Sequence, residues 1–218
     1  DGLTGLTRGT LALGASTTLG IYVLPAPLGR FHQAHPAIDL SLNVANTRDT
    51  LALLRDGSLD LAFVEGFVRD DDLEATAFLT DELIAIVPPQ SYLLRAGSLP
   101  AAALSSTPFL MREVGSGTRE WVDRSFAGWG IEPNVMMELG HTEAIKNAVA
   151  AGLGISILSR LTVAREIADG RLATLPIEPG PVTRPFLIVQ RGTSRPAPAT
   201  GAFLAVMKDL ATATPTGS

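Results

Sequence analysis

Two apolar periods take turns along this chain from one end to the other. Ile38, Leu40, Leu42 and Val44 recur every second residue, the spacing of a strand with one buried face. Leu51 and Leu54 recur at helical spacing behind a cap at Asn46 or Thr47, and Gly57 ends that helix. Apolar runs at 10–15, 59–64, 108–111, 155–158 and 186–189 read as buried strands. Ser16-Thr17-Thr18 caps a helix carrying Leu19, Val23, Leu24, Leu28 and Phe31, with Pro25 and Pro27 near its first turns. His141-Thr142 caps another that runs through Ala151, and 160–168 and 202–210 are helical. Segments 73–79 and 82–87 read as two strands, the second stopped by Pro88-Pro89, while 97–104 forms a small helix and 172–177 is extended.

Strand–helix alternation implies parallel sheets covered by helices, and the pattern has two similar halves, one before Pro88 and one after. Ligands of such sheets sit at the carboxyl ends of strands, against helix N-termini. Three strand–helix junctions carry hydroxyls there: Ser16-Thr17-Thr18, Gly115-Ser116-Gly117-Thr118 and His141-Thr142. If the two halves face each other, these junctions point into one cleft.

The middle junction carries the most chemistry. Residues 112–120 read Arg-Glu-Val-Gly-Ser-Gly-Thr-Arg-Glu, a tight turn opening directly into a helix that continues with Trp121, Val122, Ser125 and Phe126. A helix start has unpaired amides and about half a positive charge. Two glycines let a ligand approach the backbone, Ser116 and Thr118 add donors, and Arg112 and Arg119 add full charge. The same residues also make an ordinary helix cap, with the arginines paired to Glu113, Glu120 or Asp123. Both readings stand at this point.

Composition narrows the chemistry. Of 218 residues 46% are hydrophobic and 18% charged, the balance of a folded chain able to bury a sizeable core. A net charge of −5, with no basic run, argues against a broad nucleic-acid surface. Cysteine is absent, which excludes disulfides, thiolate metal sites and thiol nucleophiles. No apolar stretch approaches a membrane span and no leader pattern is present. The chain starts at Asp1 without methionine, as a piece cut from something longer would. Gly115-x-Gly117 is followed by Glu120 where a dinucleotide fingerprint needs glycine, and no Walker or Gly-x-Ser-x-Gly sequence occurs. His32 and His35-Pro36 read as a helix end, and Asp70-Asp71-Asp72 as a solvated turn, so neither metal nor cofactor is expected. No serine is singled out as a nucleophile. Hydroxyls without a neighbouring base bind ligands more readily than they catalyse, so no catalytic residue is assigned.

The succession 9–18 (Gly-Thr-Leu-Ala-Leu-Gly-Ala-Ser-Thr-Thr), Leu24-Pro25 and Phe31-x-x-x-x-Pro36 resembles the start of the effector-binding domain of LysR-type transcriptional regulators. Similarity continues through Leu54-x-x-Gly57-x-Leu59-Asp60-Leu61-Ala62, Ile84-Ala85-Ile86-Val87-Pro88, the 152–158 segment Gly-Leu-Gly-Ile-Ser-Ile-Leu and Phe203-x-x-x-Met207. The stretch from Arg112 to Arg119 is most similar to the branch regulating carbon fixation and sulfur assimilation, and also to the oxyanion loops of periplasmic binding proteins. This resemblance implies an α/β, type II periplasmic-binding-protein-like fold with two Rossmann-like subdomains joined by two crossover strands. Subdomain I would be 9–87 plus 187–218, and subdomain II 88–186, with 1–8 the remnant of a linker and an N-terminal winged helix-turn-helix absent.

Carried over residue by residue, the effector site would comprise Ser16, Thr17, Thr18, Glu65 and Gly66 from subdomain I. Subdomain II would add Arg112, Ser116, Gly117, Thr118, Arg119, His141 and Thr142. Glu65 would meet an amine or hydroxyl of the ligand, or hold Arg112. The effector would be a small anion: an oxyanion, a phosphorylated metabolite or a small carboxylate. The family pattern further implies a cytoplasmic homodimer through this domain, with Leu24, Leu28, Ala148 and Val149 as candidate contacts. A tetramer of the full-length protein and DNA binding through the missing domain complete the expectation, with no membrane partner. A transport protein for an oxyanion is the alternative on the same fold.

Overall fold

Apolar positions Leu11, Leu13 and Ala15 line the inner side of the first strand, β1 (Gly9–Ser16), and are fully buried. The computed structural model describes residues 8–192 and 196–213, so most of the expected linker remnant and the tail from 214 lie outside the described residues. Two compact units divide the chain: unit 1 holds the chain up to Thr80 and again from Pro185, and unit 2 is Asp81–Arg184.

In unit 1, β1 is followed by α1 (Thr17–Tyr22), α2 (Pro25–Ala34), β2 (Ile38–Ala45), α3 (Thr47–Arg55) and β3 (Leu61–Val64). The single helix expected after Ser16 is two. Pro25 has no N–H for the preceding turn and its ring obstructs helix continuation, so α1 ends at Tyr22 and Pro25 opens α2. β1 pairs in parallel with both β2 and β3, which places the ends of β1 and β3 side by side. Leu24, offered as a dimer contact, is fully buried, and Leu28 packs against the same core. Phe203 stands edge-on to Phe31 at 5.4 Å and to Phe63 at 6.0 Å in that core. On the other face α3 contributes Leu51 and Leu54 against Ala62 and Val64.

The chain leaves unit 1 within β4 (Leu73–Val87), one continuous strand where two were expected. Polar Thr80 and Asp81 read as a break, but Asp81 is a buried strand residue whose charge is matched within unit 2. Unit 2 continues through two short 3₁₀ turns flanking β5 (Leu99–Pro100), where a small helix was expected. Then come β6 (Phe109–Arg112), α4 (Gly117–Trp129), β7 (Val135–Leu139), α5 (Thr142–Ala150), β8 (Ser156–Ser159), α6 (Arg160–Ala168), β9 (Ala173–Leu175) and β10 (Ile177–Glu178). The chain returns through β11 (Val182–Arg191), antiparallel to β3, and closes unit 1 with α7 (Pro198–Ala213).

Within unit 2, β4 pairs antiparallel with β8, and β6 runs parallel to β7. Nothing in the sequence pattern foretold β7, because Val135, Met136 and Met137 are all exposed and show no alternation of burial. Helix α4 packs through Val122 and Phe126 on one apolar cluster. Helix α5 packs through Ile145 and Val149 on another, with Ala148 partly buried against it, so Val149, offered as a dimer contact, is fully taken up by the core. Lys146, buried on α5, is held by Glu143, Glu166 and the Thr162 carbonyl at 2.6–2.9 Å. No helix among the described residues is long and apolar enough to cross a membrane.

Candidate functional site

Phe109, Leu110 and Met111 bury β6, and the strand delivers Arg112 to the turn that starts α4. Gly115 takes a φ of 98°, a conformation that side-chain-bearing residues rarely adopt, and the turn closes with Ser116 N donating to Glu113 O at 3.2 Å. Ser116 is the N-cap, its Oγ accepting from Arg119 N at 3.4 Å. Gly117 and Thr118, at the first two helical positions, have no carbonyl one turn back within the helix, so their amides face outward from its positive end. Ser116, Gly117 and Thr118 are all buried.

Each arginine of this stretch is already matched. Arg112 donates through Nε and Nη2 to the two oxygens of Glu113, at 2.8 and 2.9 Å, and through Nη1 to Thr142 Oγ1 at 2.9 Å. Of the partners the sequence offered Arg112, Glu113 takes two of its nitrogens. Arg119 donates to Asp123 at 2.7 Å, to Glu138 at 3.0 Å and to the Arg112 carbonyl at 2.8 Å. Burial pulls the Arg119 guanidinium down, but Asp123 and Glu138 together hold it above its ordinary value. The full charges assigned to an incoming anion are therefore neutralised in place, leaving amides and hydroxyls as the donors.

Helix α5 begins beside them. His141 is its N-cap but makes no side-chain cap bond and is exposed, while Thr142 is buried and receives Arg112. Unit 2 thus brings Arg112, Ser116, Gly117, Thr118, Arg119 and Thr142 together, with His141 at the edge.

A third layer was not foreseen. Arg184 of β11 is fully buried and donates through Nη1 to Thr118 Oγ1 at 3.0 Å. Its Nε and Nη2 lie 2.8 Å from Asp81 Oδ2, and Asp81 Oδ1 accepts from Ser159 Oγ at 2.7 Å. The contacts span 66 and 103 residues, so no local motif announces them. The available signal was a charged residue inside an otherwise buried strand, which demands a partner.

Unit 1 holds the remaining candidates. Ser16 caps α1 without a side-chain cap bond and instead donates to Glu65, just past β3. Both side chains are buried, as are Thr18 and Gly66, with Thr17 half-buried. Glu65 thus meets a hydroxyl, one of the roles expected of it, but a hydroxyl of the protein. Among the described residues no group of three or more His, Cys, Asp or Glu is arranged to hold a metal ion.

Comparison with known proteins identifies the family. The family model for the LysR substrate binding domain matches residues 4–212. The chain is 36% identical to the RuBisCO operon transcriptional regulator of Allochromatium vinosum over 203 residues, 93% of this chain and 67% of that protein. It is 38% identical to the HTH-type transcriptional activator CmpR of Synechocystis over 187 residues, 86% of this chain and 61% of that one. The regulatory domain of Synechocystis CcmR, solved in complex with 2-PG, superposes with a TM-score of 0.87 at 33% identity, covering 94% of this chain and 98% of that chain. This chain spans between 57% and 70% of the curated relatives it matches. The relatives are transcriptional regulators, which sets aside both the transport and the enzyme readings. With the type II periplasmic-binding-protein-like fold of these neighbours, the chain belongs to the LysR substrate-binding domain family, the effector-binding part of LysR-type transcriptional regulators.

Proposed function

We propose that the N-terminus of α4 binds the acidic group of a small effector, and that its occupancy controls a DNA-binding domain in the longer protein. The observation that carries this reading is the state of two buried hydroxyls. Ser116 Oγ accepts from Arg119 N and Thr118 Oγ1 accepts from Arg184, so each keeps its own proton to donate. Among the described residues no acceptor takes either proton. Two hydroxyl donors beside the outward amides of Gly117 and Thr118 suit an oxyanion, a phosphorylated metabolite or a small carboxylate. Arg112, Arg119 and Thr142 act in this reading as the frame of the turn, and Ser16, Thr17, Thr18, Glu65, Gly66 and His141 remain candidate effector residues. Binding of 2-PG by the CcmR domain makes 2-PG the first compound to test. The relatives' helix-turn-helix class supports DNA binding through a segment outside this chain, in a cytoplasmic homodimer.

Calorimetric titration of the chain with 2-PG and with inorganic phosphate tests the site. A hydrogen bond to a charged group contributes about 1.5–3 kcal/mol, so Ser116→Ala is expected to weaken binding roughly 10- to 100-fold. Equal affinity in the variant and the unaltered chain would remove α4 from the effector site.

A further inference from the structure

We propose that Arg184 is a positioning residue for the effector element, and that it ties this element to both strands by which the chain enters and leaves unit 2. The inference rests on the reading of the α4 N-terminus as the effector element. A guanidinium carries only donors. When Arg184 Nη1 donates to Thr118 Oγ1 at 3.0 Å, the Thr118 proton cannot point back at it and is directed elsewhere. Arg184 therefore sets the Thr118 hydroxyl as a donor, and a side chain that could accept would not.

The rest of the Arg184 fork is fixed just as firmly. Asp81 Oδ2 accepts from Nε at 2.8 Å and lies 2.8 Å from Nη2 in the ion pair, and its second oxygen accepts from Ser159. Both partners of the ion pair are essentially without solvent exposure, so neither side chain has another place to go. Asp81 and Arg184 are also the first and last residues of unit 2. One continuous chain of contacts, Ser159–Asp81–Arg184–Thr118, thus joins β8, β4, β11 and α4. A shift of the α4 start on ligand capture would pull on the two connecting strands through bonds that have no slack.

The test compares the full chain with Arg184→Lys, Thr118→Val and Thr118→Ser, using calorimetry with 2-PG and inorganic phosphate and amide hydrogen exchange with and without them. Arg184→Lys keeps the charge but loses the fork, and is expected to bind the probes about 10-fold more weakly. Thr118→Val should lose a similar factor, and Thr118→Ser should restore it. Without any probe, Thr118→Val should speed exchange at residues 81–85 and 182–186, a change that Thr118→Ser should not produce. Wild-type affinity in both Arg184→Lys and Thr118→Val would overturn the positioning role, and unchanged strand exchange in Thr118→Val would overturn the link. If neither probe binds the unaltered chain, the effector reading of α4 fails, and the probe-free exchange comparison alone decides for or against the link. Should Arg184→Lys fail to fold, the two Thr118 variants decide the outcome.

Discussion

Arg112 Nη1 donates to Thr142 Oγ1 at 2.9 Å, fastening the end of β6 to the first residue of α5. The guanidinium is 3% exposed and its other two nitrogens hold Glu113 by both oxygens. Arg112→Met would strip donors from a half-buried carboxylate and a buried hydroxyl at once, and is expected to destabilise by about 3 kcal/mol. Thr142→Val removes one charged hydrogen bond and should destabilise by about 1–2 kcal/mol. Because the two side chains share a bond, the double variant should fall short of the sum by at least about 0.5 kcal/mol in urea unfolding. Strict additivity would show that the contact contributes nothing.

Glu166 gives the fold an acid limit. Burial pushes its carboxyl up, but the Lys146 ammonium at 2.9 Å, with Arg171 at 3.1 Å, holds it below its ordinary value of 4.5. A lowered folded pKa means stability that is fully present above 4.5 and is lost as the pH falls through the folded value. Lys146→Met leaves Arg171 as the facing cation and removes the larger attraction, so the Glu166 pKa rises. The acid loss of stability due to Glu166 should therefore be smaller in this variant, which is less stable than the unaltered chain at neutral pH by a margin that narrows as the pH falls. Urea midpoints between about pH 3 and pH 7 measure it, and parallel profiles for the two proteins would count against the pair.

Local features of this fold were legible and distant pairings were not. Ser116 as a helix cap follows from a few neighbouring residues, because capping is set by which amides lie within one turn. The parallel strands β1, β2 and β3 follow from their spacing and the helices between them. Asp81 misled because a charge in a strand looks like a break until its partner, 103 residues away, is known. The same pairing hid Arg184 from the candidate site, since only the folded chain brings β4, β11 and α4 together. Leu24 and Val149 show the complementary limit: apolar helix residues that serve a dimer or a core have the same spacing, and burial alone separates them.

Three glycines should respond to alanine with different signs. At Gly154 a new Cβ would meet the Pro108 carbonyl oxygen at 2.4 Å, against backbone that is bonded to Ile155 N and cannot yield. Overpacking there is expected to destabilise by about 2–3 kcal/mol. Gly152 has open space but a φ of 82°, so alanine should destabilise by about 1–2 kcal/mol through the backbone alone. Gly29 lies inside α2 with nothing within 4 Å of its Cβ position, and alanine should stabilise by about 0.5–1 kcal/mol. Thermal unfolding of the three variants gives the order directly. A melting temperature for Gly154→Ala above that of Gly29→Ala would contradict it.

Charge pairing around α4 also sets how salt should act on the effector. Arg112 is matched by Glu113, Arg119 by Asp123 and Glu138, and Arg184 by Asp81. Amides, hydroxyls and the helix dipole are what an anion would find, at contact distance and in buried surroundings where ionic screening is small. Raising sodium chloride from about 50 mM to about 500 mM shortens the screening length severalfold, yet 2-PG affinity should fall less than roughly threefold. Glu113→Gln releases the Arg112 guanidinium from its counter-charge and should make binding both tighter at low salt and steeper in its salt dependence. Calorimetry across the salt series checks both slopes. A steep slope in the unaltered chain would mean that one of these arginines leaves its carboxylate for the ligand.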